Sequence, residues 1–355
     1  MKTVLFVALS FWFGRSFAWN TDFRYERCGP RYDDYIAFHR QNRNAPDAKY
    51  LVYACDRAPC AGIGDRIRAT MMMMRVAMRH RRVFVIDWTF PSPLTDYFVP
   101  NMIDWTPEGI AADKQGSLSL NSFAVSSNSS LYRPWRNDSY FTEITKHHTV
   151  VRIVTNDGQV LQEQSRSDLS CVFNILFRPS ALLRQGMDEE IAFMYPRAIS
   201  PFPYVAIHLR MGGLAGEPHA IERQSGKRDI HVIAAALAFS KSLAETRGIT
   251  EAVAFVSDND HLRWLLGERF INHAVAPRAG SAHHIDLFVA AEGENATTLF
   301  LPEFVEIGVL ARSVCLVHSR SGFSAISVWW TNKTCHYEMS DVIARIDDRW
   351  ASLPK

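Results

Sequence analysis

The residues with the clearest chemistry in this sequence lie where a predicted strand runs into a loop. The stretch Pro203 to Gly213 (PYVAIHLRMGG) takes a hydrophobic strand directly into His208 and Arg210. A guanidinium held by a buried strand has a fixed orientation, and it can bind a diphosphate through paired charge-assisted hydrogen bonds. Open α/β sheets bind phosphorylated ligands at the carboxyl ends of their strands. Arg210 is therefore the first candidate for a group that holds a diphosphate.

A glycine-containing turn marks a second junction of the same kind. Residues 61–68 (AGIGDRIR) follow a predicted strand and open a predicted helix, and the strand at 83–88 (VFVIDW) completes a strand–helix–strand unit. Ile67 stands where a dinucleotide-binding motif has its third glycine, so Gly64 is equally explained by a tight turn with close helix packing. Either geometry exposes Asp65, which could assist proton removal from a hydroxyl or hold Arg66 or Arg68 in place.

Two further stretches place polar groups after hydrophobic strands. Ser319 to Ser324 (SRSGFS) opens a predicted helix, whose free N–H groups can donate to phosphate oxygens. Asp258 to Asp260 (DND) matches a pattern that can hold a divalent cation against a diphosphate. Asp260 could instead cap the helix predicted at 261–266. We favour the cap, because Arg210 already supplies the positive charge that a metal would provide.

The composition describes a globular chain with room for two cores. Its 355 residues exceed the size at which a single core stops growing, and 47% of them are hydrophobic. The 39 basic and 37 acidic residues give a formal charge of +2, which offers no basic field to a nucleic acid. The sequence contains no motif of a serine hydrolase, a P-loop kinase or a zinc protease.

The amino terminus is typical of a secretory signal. Lys2 precedes an apolar run at 4–13, and Ser16 to Ala18 form a small-x-small cleavage site, so we expect removal of residues 1–18. The run is too short for a spanning helix, so no transmembrane helix is expected after cleavage. We expect a protein of the secretory-pathway lumen, in the ER or Golgi, or a secreted one. N-x-S/T sequons fit this location at Asn128, Asn137, Asn295 and Asn332.

Six cysteines, an even number, agree with an oxidising compartment. Cys55 and Cys60 are close enough in sequence to join the two ends of one loop, and Cys315 and Cys335 flank another candidate loop. Spacing alone leaves the pairing open, since six cysteines allow about fifteen connectivities. No C-x-x-C pair or Cys/His cluster suggests zinc, and we expect no bound metal.

The first half begins with a strand–helix–strand unit. The hydrophobic run at 50–55 predicts a buried strand, a helix is predicted over 66–80, and the strand at 83–88 follows. Residues 107–170 are richer in polar groups, and we expect loops and short elements there.

The second half alternates strands with helices after a Pro-rich linker at 199–203. This order predicts a doubly wound α/β architecture with a domain boundary between residues 19–198 and 199–355. The predicted elements of the second half are strands at 204–210, 252–257 and 313–318 and helices at 231–243, 261–266 and 302–311.

Together these motifs resemble the GDP-fucose-dependent fucosyltransferases. This superfamily includes the protein O-fucosyltransferases, the core α1,6-fucosyltransferases and the bacterial nodulation fucosyltransferase. The resemblance implies a GT-B fold, in which two Rossmann-like domains face a central cleft, and an inverting transfer from GDP-β-L-fucose with no required metal. The matching pieces are GIGDR at 62–66, VFVIDW at 83–88, His-x-Arg at 208–210, SDN at 257–259 and SGFS at 321–324.

The resemblance also implies roles for single residues. The second domain would bind the nucleotide sugar, with Arg210 on the β-phosphate, His208 beside it and Asp286 on the guanine side. The first domain would face the acceptor, with Asp65 as the candidate for assisting deprotonation. The implied donor-binding set is His208, Arg210, Gly64, Asp258, Asp286, Ser321, Gly322, Phe323 and Ser324.

Three hypotheses fit these residues. In the first, the chain is a lumenal enzyme that transfers fucose from GDP-fucose to a glycan or protein hydroxyl. In the second, it is a non-catalytic lumenal protein of the same fold that binds a glycan or a nucleotide. In the third, it is a metal-dependent GT-A-type transferase that uses Asp258 and Asp260. We favour the first, and the sequence does not identify the acceptor, because the loops at 107–170 and 277–300 match no motif.

Overall fold

The computed structural model of the chain shows an α/β protein with two parallel sheets. The expected α/β class is thereby confirmed. The predicted signal segment at 1–18 and the sequon at Asn128 lie outside the described residues. Over the part of the chain that is described, no helix combines the length and the apolar character needed to cross a membrane. The described residues are 28–57, 59–110, 117–121, 134–156, 165–198, 202–211, 229–267, 273–278, 285 and 295–351.

Strands and helices alternate along most of the described chain. The strands are β1 (Tyr50–Cys55), β2 (Val83–Trp88), β3 (Phe98–Pro100), β4 (Ser117–Asn121), β5 (Val150–Val154), β6 (Phe177–Pro179), β7 (Val205–Leu209), β8 (Val253–Ser257), β9 (Ala274–Val275), β10 (Cys315–His318) and β11 (His336–Glu338). The helices are α1 (Pro30–Asn42), α2 (Ile63–Arg79), α3 (Asp138–Thr145), α4 (Arg166–Leu176), α5 (Ala181–Met194), α6 (Asp229–Thr246), α7 (Asp260–Gly267), α8 (Ala296–Arg312), α9 (Gly322–Trp330) and α10 (Met339–Ala351).

The first sheet has the strand order β2-β1-β5-β4, and every pair in it is parallel. Tyr50 of β1 aligns with Val83 on one side and with Val150 on the other. The strands are rich in Val, Ile and aromatic residues, which suit a pleated and buried surface. Helix α2 covers one face with the buried methionines 71–74, so these methionines belong to the core.

The stretch 107–170 differs from its expectation as loops and short elements. It contains β4 and β5, and β5 lies in the middle of the first sheet, between β1 and β4. The sequence of β5, VVRIV, carries a charge in an otherwise apolar run. That charge is neutralised in the folded protein, because Arg152 pairs with Asp56 at 2.8 Å and with Asp87 at 2.9 Å.

The second sheet has the order β11-β10-β7-β8-β9, and it is also entirely parallel. The register places His208 of β7 beside His318 of β10. Helix α8 begins six residues before the predicted start at Pro302, because Asn295 caps it. The Asn295 side chain accepts a hydrogen bond from the Thr297 N–H at 3.0 Å, which satisfies a donor at the helix start.

The two halves share one buried cluster of hydrophobic side chains. This cluster includes Leu51 of the first sheet and Leu316 of the second. Helices α4 and α5 of the first half contact α9 and α8 of the second, respectively. At the centre, Phe98 lies edge-on to Trp330, with ring centroids 5.3 Å apart. The division into domains at 198/199 remains a prediction.

All six cysteines form disulfides. Two bonds join residues that the sequence placed around single loops, Cys55 with Cys60 and Cys315 with Cys335. The third joins Cys28, before α1, to Cys171 in α4, across 143 residues. Three disulfides are compatible with a secreted or lumenal protein.

Candidate functional site

Helices α2 and α9 begin at the same point in space. A Cβ atom added to Gly64 would lie 2.7 Å from the Cα and carbonyl carbon of Gly322 and 3.0 Å from the backbone nitrogen of Phe323. A Cβ atom added to Gly322 would lie 3.0 Å from the Cα of Gly64. Both positions therefore require glycine, because no side chain fits between the two backbones. We call this contact of Gly64 and Gly322 the helix-start junction.

The electrostatics of the junction favour an anion. Each helix start has N–H groups without an acceptor in its own helix and carries the positive end of the helix dipole. The Ser321 hydroxyl caps α9 by accepting from the Ser324 N–H at 3.2 Å, and the Ser324 hydroxyl donates to the Ser319 carbonyl at 3.0 Å. Helix α2 starts after Gly62, without a side-chain cap. Two positive helix ends thus converge, which is an arrangement suited to phosphate oxygens.

Arg210 follows β7 directly, and its backbone is tied to the neighbouring strands. The Arg210 N–H donates to the Ser319 hydroxyl at 2.7 Å, and the Ser319 N–H donates to the His208 carbonyl at 2.9 Å. The next residue, Met211, donates its N–H to the Asp258 carboxylate at 2.7 Å. The half-buried Arg210 side chain therefore starts from a fixed backbone position. Asp258 helps to fix that backbone from the end of β8.

A second set of contacts connects the end of β7 to β8, α7 and α8. The Ser257 hydroxyl donates to the Leu209 carbonyl at 2.9 Å. Arg263 of α7 donates to the Ser257 carbonyl at 3.2 Å and pairs with Glu306 of α8 at 2.5 Å. Both side chains of this ion pair are only 8% exposed. The backbone next to Arg210 is thus connected, through Ser257 and Arg263, to a buried ion pair.

His208 and Phe323 stack beside the junction, with ring centroids 5.1 Å apart and an interplanar angle of 19°. Burial, with smaller contributions from His318 and Arg210, lowers the pKa of His208 from 6.5 to about 3. His208 is therefore neutral at physiological pH. Its buried Nδ1 atom has no hydrogen-bond partner within the described part of the chain.

Asp65, in the first turn of α2, forms an ion pair with Arg68 one turn further on. Arg66 instead points into the protein and is fully buried. Its Nε donates to the Ala61 carbonyl at 2.6 Å, and its Nη1 donates to the Phe90 carbonyl at 2.5 Å. The sequence left open whether Asp65 holds Arg66 or Arg68, and in the structure its partner is Arg68. Arg66 holds the loop that leads into α2.

Most of the predicted site residues lie around the helix-start junction. Asp65 follows Gly64 directly on α2, and Asp286 lies outside the described residues. The predicted residues that the structure brings together there are Gly64, His208, Arg210, Asp258, Ser321, Gly322, Phe323 and Ser324.

The predicted helix cap at Asp260 shifts by one residue. The side chain of Asn259 caps α7, because its Oδ1 accepts the Leu262 N–H at 2.9 Å. The expected cap and the observed one differ because α7 begins at Asp260 itself. In the described ranges, no set of three or more His, Cys, Asp or Glu side chains is arranged to hold a metal ion.

Sequence reasoning missed a charged triad on the first sheet. Arg152 bridges Asp56 and Asp87 near the carboxyl ends of their strands, and burial raises the pKa of Asp87. Asp87 stands within the motif at 83–88, but nothing in the sequence showed that Arg152 would be its partner. Ser319 was also missed as a backbone anchor, although it opens the segment already singled out.

Comparison with known proteins finds likenesses in structure only. No protein-family model matches the sequence, and no curated protein is significantly similar to it. The Arabidopsis thaliana FUT1 structure, a variant in complex with GDP, is 13% identical with a TM-score of 0.47 over 86% of this chain and 75% of that one. NodZ from Bradyrhizobium is 12% identical, with a TM-score of 0.47 over 79% of this chain and 92% of that one. POFUT1 in complex with GDP-fucose is 12% identical, with a TM-score of 0.46 over 83% of this chain and 99% of that one.

The NodZ structure is described as a fucosyltransferase. At 12–13% identity, these structures assign no role to any residue of this chain.

Proposed function

We propose that this protein is an inverting glycosyltransferase that moves fucose from GDP-fucose to a hydroxyl of a glycan or protein in the lumen of the secretory pathway. One observation carries the proposal. The starts of α2 and α9 meet at Gly64 and Gly322, and Ser319 links this junction to the backbone of Arg210. A diphosphate placed there would meet two helix dipoles, and the Arg210 side chain that we propose to bind it starts from a backbone held by Ser319.

The arrangement suits a reaction with a diphosphate leaving group. Negative charge grows on the diphosphate as the bond to the sugar breaks, and donors fixed in advance stabilise that charge more in the transition state than in the ground state. A hydrogen bond from a charged group is worth about 1.5–3 kcal/mol, which corresponds to about a ten- to a hundredfold change in rate. Arg210 is the residue for which we expect this effect.

The proposed base lies on the other side of the junction. Inverting transfer needs a group that receives the proton of the acceptor hydroxyl, and Asp65 is the carboxylate next to Gly64. Its ion pair with Arg68 means that Arg68 competes with an acceptor hydroxyl for the carboxylate. We therefore propose that binding of the acceptor displaces Arg68 from Asp65.

The contacts of Asp258 support a site that works without a bridging metal. One oxygen of its carboxylate accepts a hydrogen bond from the Met211 N–H at 2.7 Å, so the side chain holds the backbone that follows Arg210. Positive charge for the diphosphate is available from Arg210 and the two helix starts. Activity that persists in EDTA is the expected result, and its loss with recovery on Mg²⁺ or Mn²⁺ would favour the metal-dependent alternative.

The decisive experiment is Arg210→Ala, assayed for GDP release from GDP-fucose and for transfer. We expect both to fall about a hundredfold or more, whereas Arg210→Lys should keep part of the activity, because it retains charge without the paired geometry. Arg184→Ala, at an exposed arginine of α5, is the matched control. Full turnover by Arg210→Ala would overturn the proposal.

A thermal-shift panel of GDP- and UDP-sugars tests the donor, because a ligand that binds only the folded state raises its apparent stability. We expect stabilisation by GDP and GDP-fucose. Binding of GDP with no release of fucose under any condition would support the non-catalytic alternative.

Asp65→Asn separates the base from the ion pair. We expect a loss of transfer of about a hundredfold or more, with unchanged GDP affinity, because general bases contribute effects of that size. Arg68→Gln, which frees Asp65 from its partner, should leave transfer largely intact. Equal losses in both variants would make the ion pair structural and leave the base unassigned.

A further inference from the structure

A row of ring nitrogens leads along the edge of the second sheet to the backbone of Ser319. Nδ1 of His318 lies 3.2 Å from the Ser319 carbonyl oxygen, and its Nε2 lies 3.3 Å from Nδ1 of His336. Nε2 of His336 lies 3.1 Å from Nη1 of Arg166, the first residue of α4. We call the chain of Arg166, His336, His318 and the Ser319 carbonyl the histidine relay.

The two ends of the relay fix the position of every proton in it. Arginine only donates, and a carbonyl only accepts. Nε2 of His336 must therefore accept from Arg166, which leaves its proton on Nδ1, facing His318. Nε2 of His318 accepts the hydrogen bond from Nδ1–H of His336, and Nδ1–H of His318 donates to the Ser319 carbonyl. Both rings must carry the Nδ1–H tautomer, although neutral histidine in water favours the Nε2–H form.

A second proton on either ring breaks a link. On His318 the added N–H would face the Nδ1–H of His336, and on His336 the added N–H would face the N–H group of Arg166. Two donors that face each other cannot form a hydrogen bond. Other groups also face these rings: Asp341 of α10 and the buried His208 near His318, and Glu338 and Lys333 near His336. Burial lowers the pKa of both histidines, although Asp341 and Glu338 act in the opposite direction.

The relay ends at the residue that organises the proposed site. The carbonyl of Ser319 accepts from His318 and also from the Ser324 hydroxyl at 3.0 Å. The hydroxyl of Ser319 accepts from the Arg210 N–H at 2.7 Å. A shift of Ser319 would therefore move both the loop that carries Arg210 and the first turn of α9.

We propose that Arg166, His336 and His318 are positioning residues that hold Ser319, and with it the diphosphate site, only while both histidines are neutral. The inference rests on the proposed function and adds a pH limit on its acidic side. Arg166 belongs to the first half of the chain and Ser319 to the second, so the relay also connects the halves at this site.

The first test needs no ligand. Nitrogen-15 NMR of the full chain should show Nδ1–H for His318 and His336, assigned from the spectra of His318→Gln and His336→Gln. In Arg166→Met, His336 should return to the Nε2–H form. An Nε2–H tautomer at either histidine of the unchanged protein would overturn the relay.

The second test separates the two nitrogens of His318 by substitution. The amide of asparagine reproduces the position of Nδ1 and can still donate to Ser319, whereas that of glutamine reproduces Nε2 and cannot. We expect His318→Gln to weaken GDP binding, measured by calorimetry near pH 7.5, by about two- to tenfold, the size of one hydrogen bond. His318→Asn should restore most of the affinity and flatten its fall at acidic pH.

Equal affinities in His318→Gln and the unchanged protein at all pH values would overturn the positioning role. Equal losses in the Gln and Asn variants would do the same, because they would point to lost packing. If both variants fail to fold, Arg166→Met at the half-buried end of the relay provides the same comparison, with an expected twofold or larger loss of GDP affinity. Absence of GDP binding by the unchanged protein would overturn the proposed function, while the NMR result would still decide the relay.

Discussion

The carboxyl ends of the two sheets differ in how their polar groups find partners. On the first sheet, charged side chains pair with each other, Arg152 with Asp56 and Asp87, and they remain 25–42% exposed. On the second sheet, backbone groups and serine hydroxyls pair instead, as in the contact of Arg210 N–H with Ser319. Half-exposed ion pairs can exchange partners, whereas a hydrogen-bonded backbone keeps its donors in place.

This difference separates two requirements of the proposed reaction. A diphosphate with constant geometry is best stabilised by donors that do not move. A hydroxyl acceptor that varies is better served by carboxylates that can change partners, such as Asp65 with Arg68. The first edge therefore suits the acceptor and the second suits the donor. Three predictions test the contrast, in order of expected effect.

The largest effect is expected at the ion pair beneath the second edge. Arg263→Met leaves the Glu306 carboxylate buried without its partner, which should lower the free energy of unfolding by about 3–5 kcal/mol in urea titrations. Arg152→Met on the first edge should cost only about 1 kcal/mol, because its partners are partly solvated.

A double variant supplies the control for that prediction. Arg263→Met combined with Glu306→Leu should recover most of the loss, because an apolar pair of similar volume removes the unpaired charge. Burial already raises the pKa of Glu306 to about 7 against the opposing effect of Arg263. The folded single variant should hold that proton more tightly than the unfolded chain does, so its deficit should grow as the pH rises. Similar losses for Arg263→Met and Arg152→Met would remove the contrast between the edges.

Acid should destabilise both halves through buried neutral histidines. Burial lowers the pKa of His39, in α1, from 6.5 to about 4 and that of His208 to about 3. Between these values and 6.5 the unfolded chain binds more protons, so the free energy of unfolding falls as the pH falls below 6.5. The contribution of His39 down to pH 4 is about 3 kcal/mol.

His39→Gln tests how much of this pH dependence comes from the first half. The amide of glutamine can still donate to the Phe84 carbonyl, which lies 2.9 Å from Nε2 of His39. The slope of stability against pH should decrease in this variant relative to the unchanged protein. An unchanged slope in His39→Gln would show that folding does not lower the pKa of this ring.

The smallest effect on stability is expected at the helix-start junction. In Gly64→Ala, the added methyl group meets the backbone of Gly322, which cannot rotate away, so we expect a loss of about 1–3 kcal/mol and weaker GDP binding. In Gly186→Ala, the nearest atom belongs to the Val305 side chain, and the helical site favours alanine. That control should keep its GDP affinity, and a matching loss of affinity there would mean that the junction is not a binding site.

The sequence predicted the strands whose composition is decisive. β1 and β2 were predicted with their observed limits, because each is an unbroken hydrophobic run between polar turns. Helix starts were less certain, since Gly62 gives α2 no side-chain cap, and the cap of α8 at Asn295 precedes the predicted helix. β5 was missed because a charged arginine argues against a buried strand unless its two carboxylate partners are known.

The site was predictable only as a set of separate motifs. His208, Arg210 and the segment 319–324 could be named because each follows a hydrophobic strand. Their mutual contacts depend on the parallel pairing of β7 with β10, which brings together residues about one hundred positions apart. Long sequence separation also hides the ion pair of Arg263 with Glu306 and the histidine relay, which joins residues of α4, β11 and β10 to the loop after β10.

The bond between Cys28 and Cys171 has a practical consequence for preparing the protein. By closing a stretch of 143 residues, it restricts the unfolded chain by an amount worth about 5 kcal/mol, comparable with the whole stability of many domains. Material made in a reducing cytosol would lack this restraint, and α1 would lose its covalent tether to α4. Expression through an export route, with thiol reductants kept out of every buffer, is therefore the sound starting point for biochemistry on this chain.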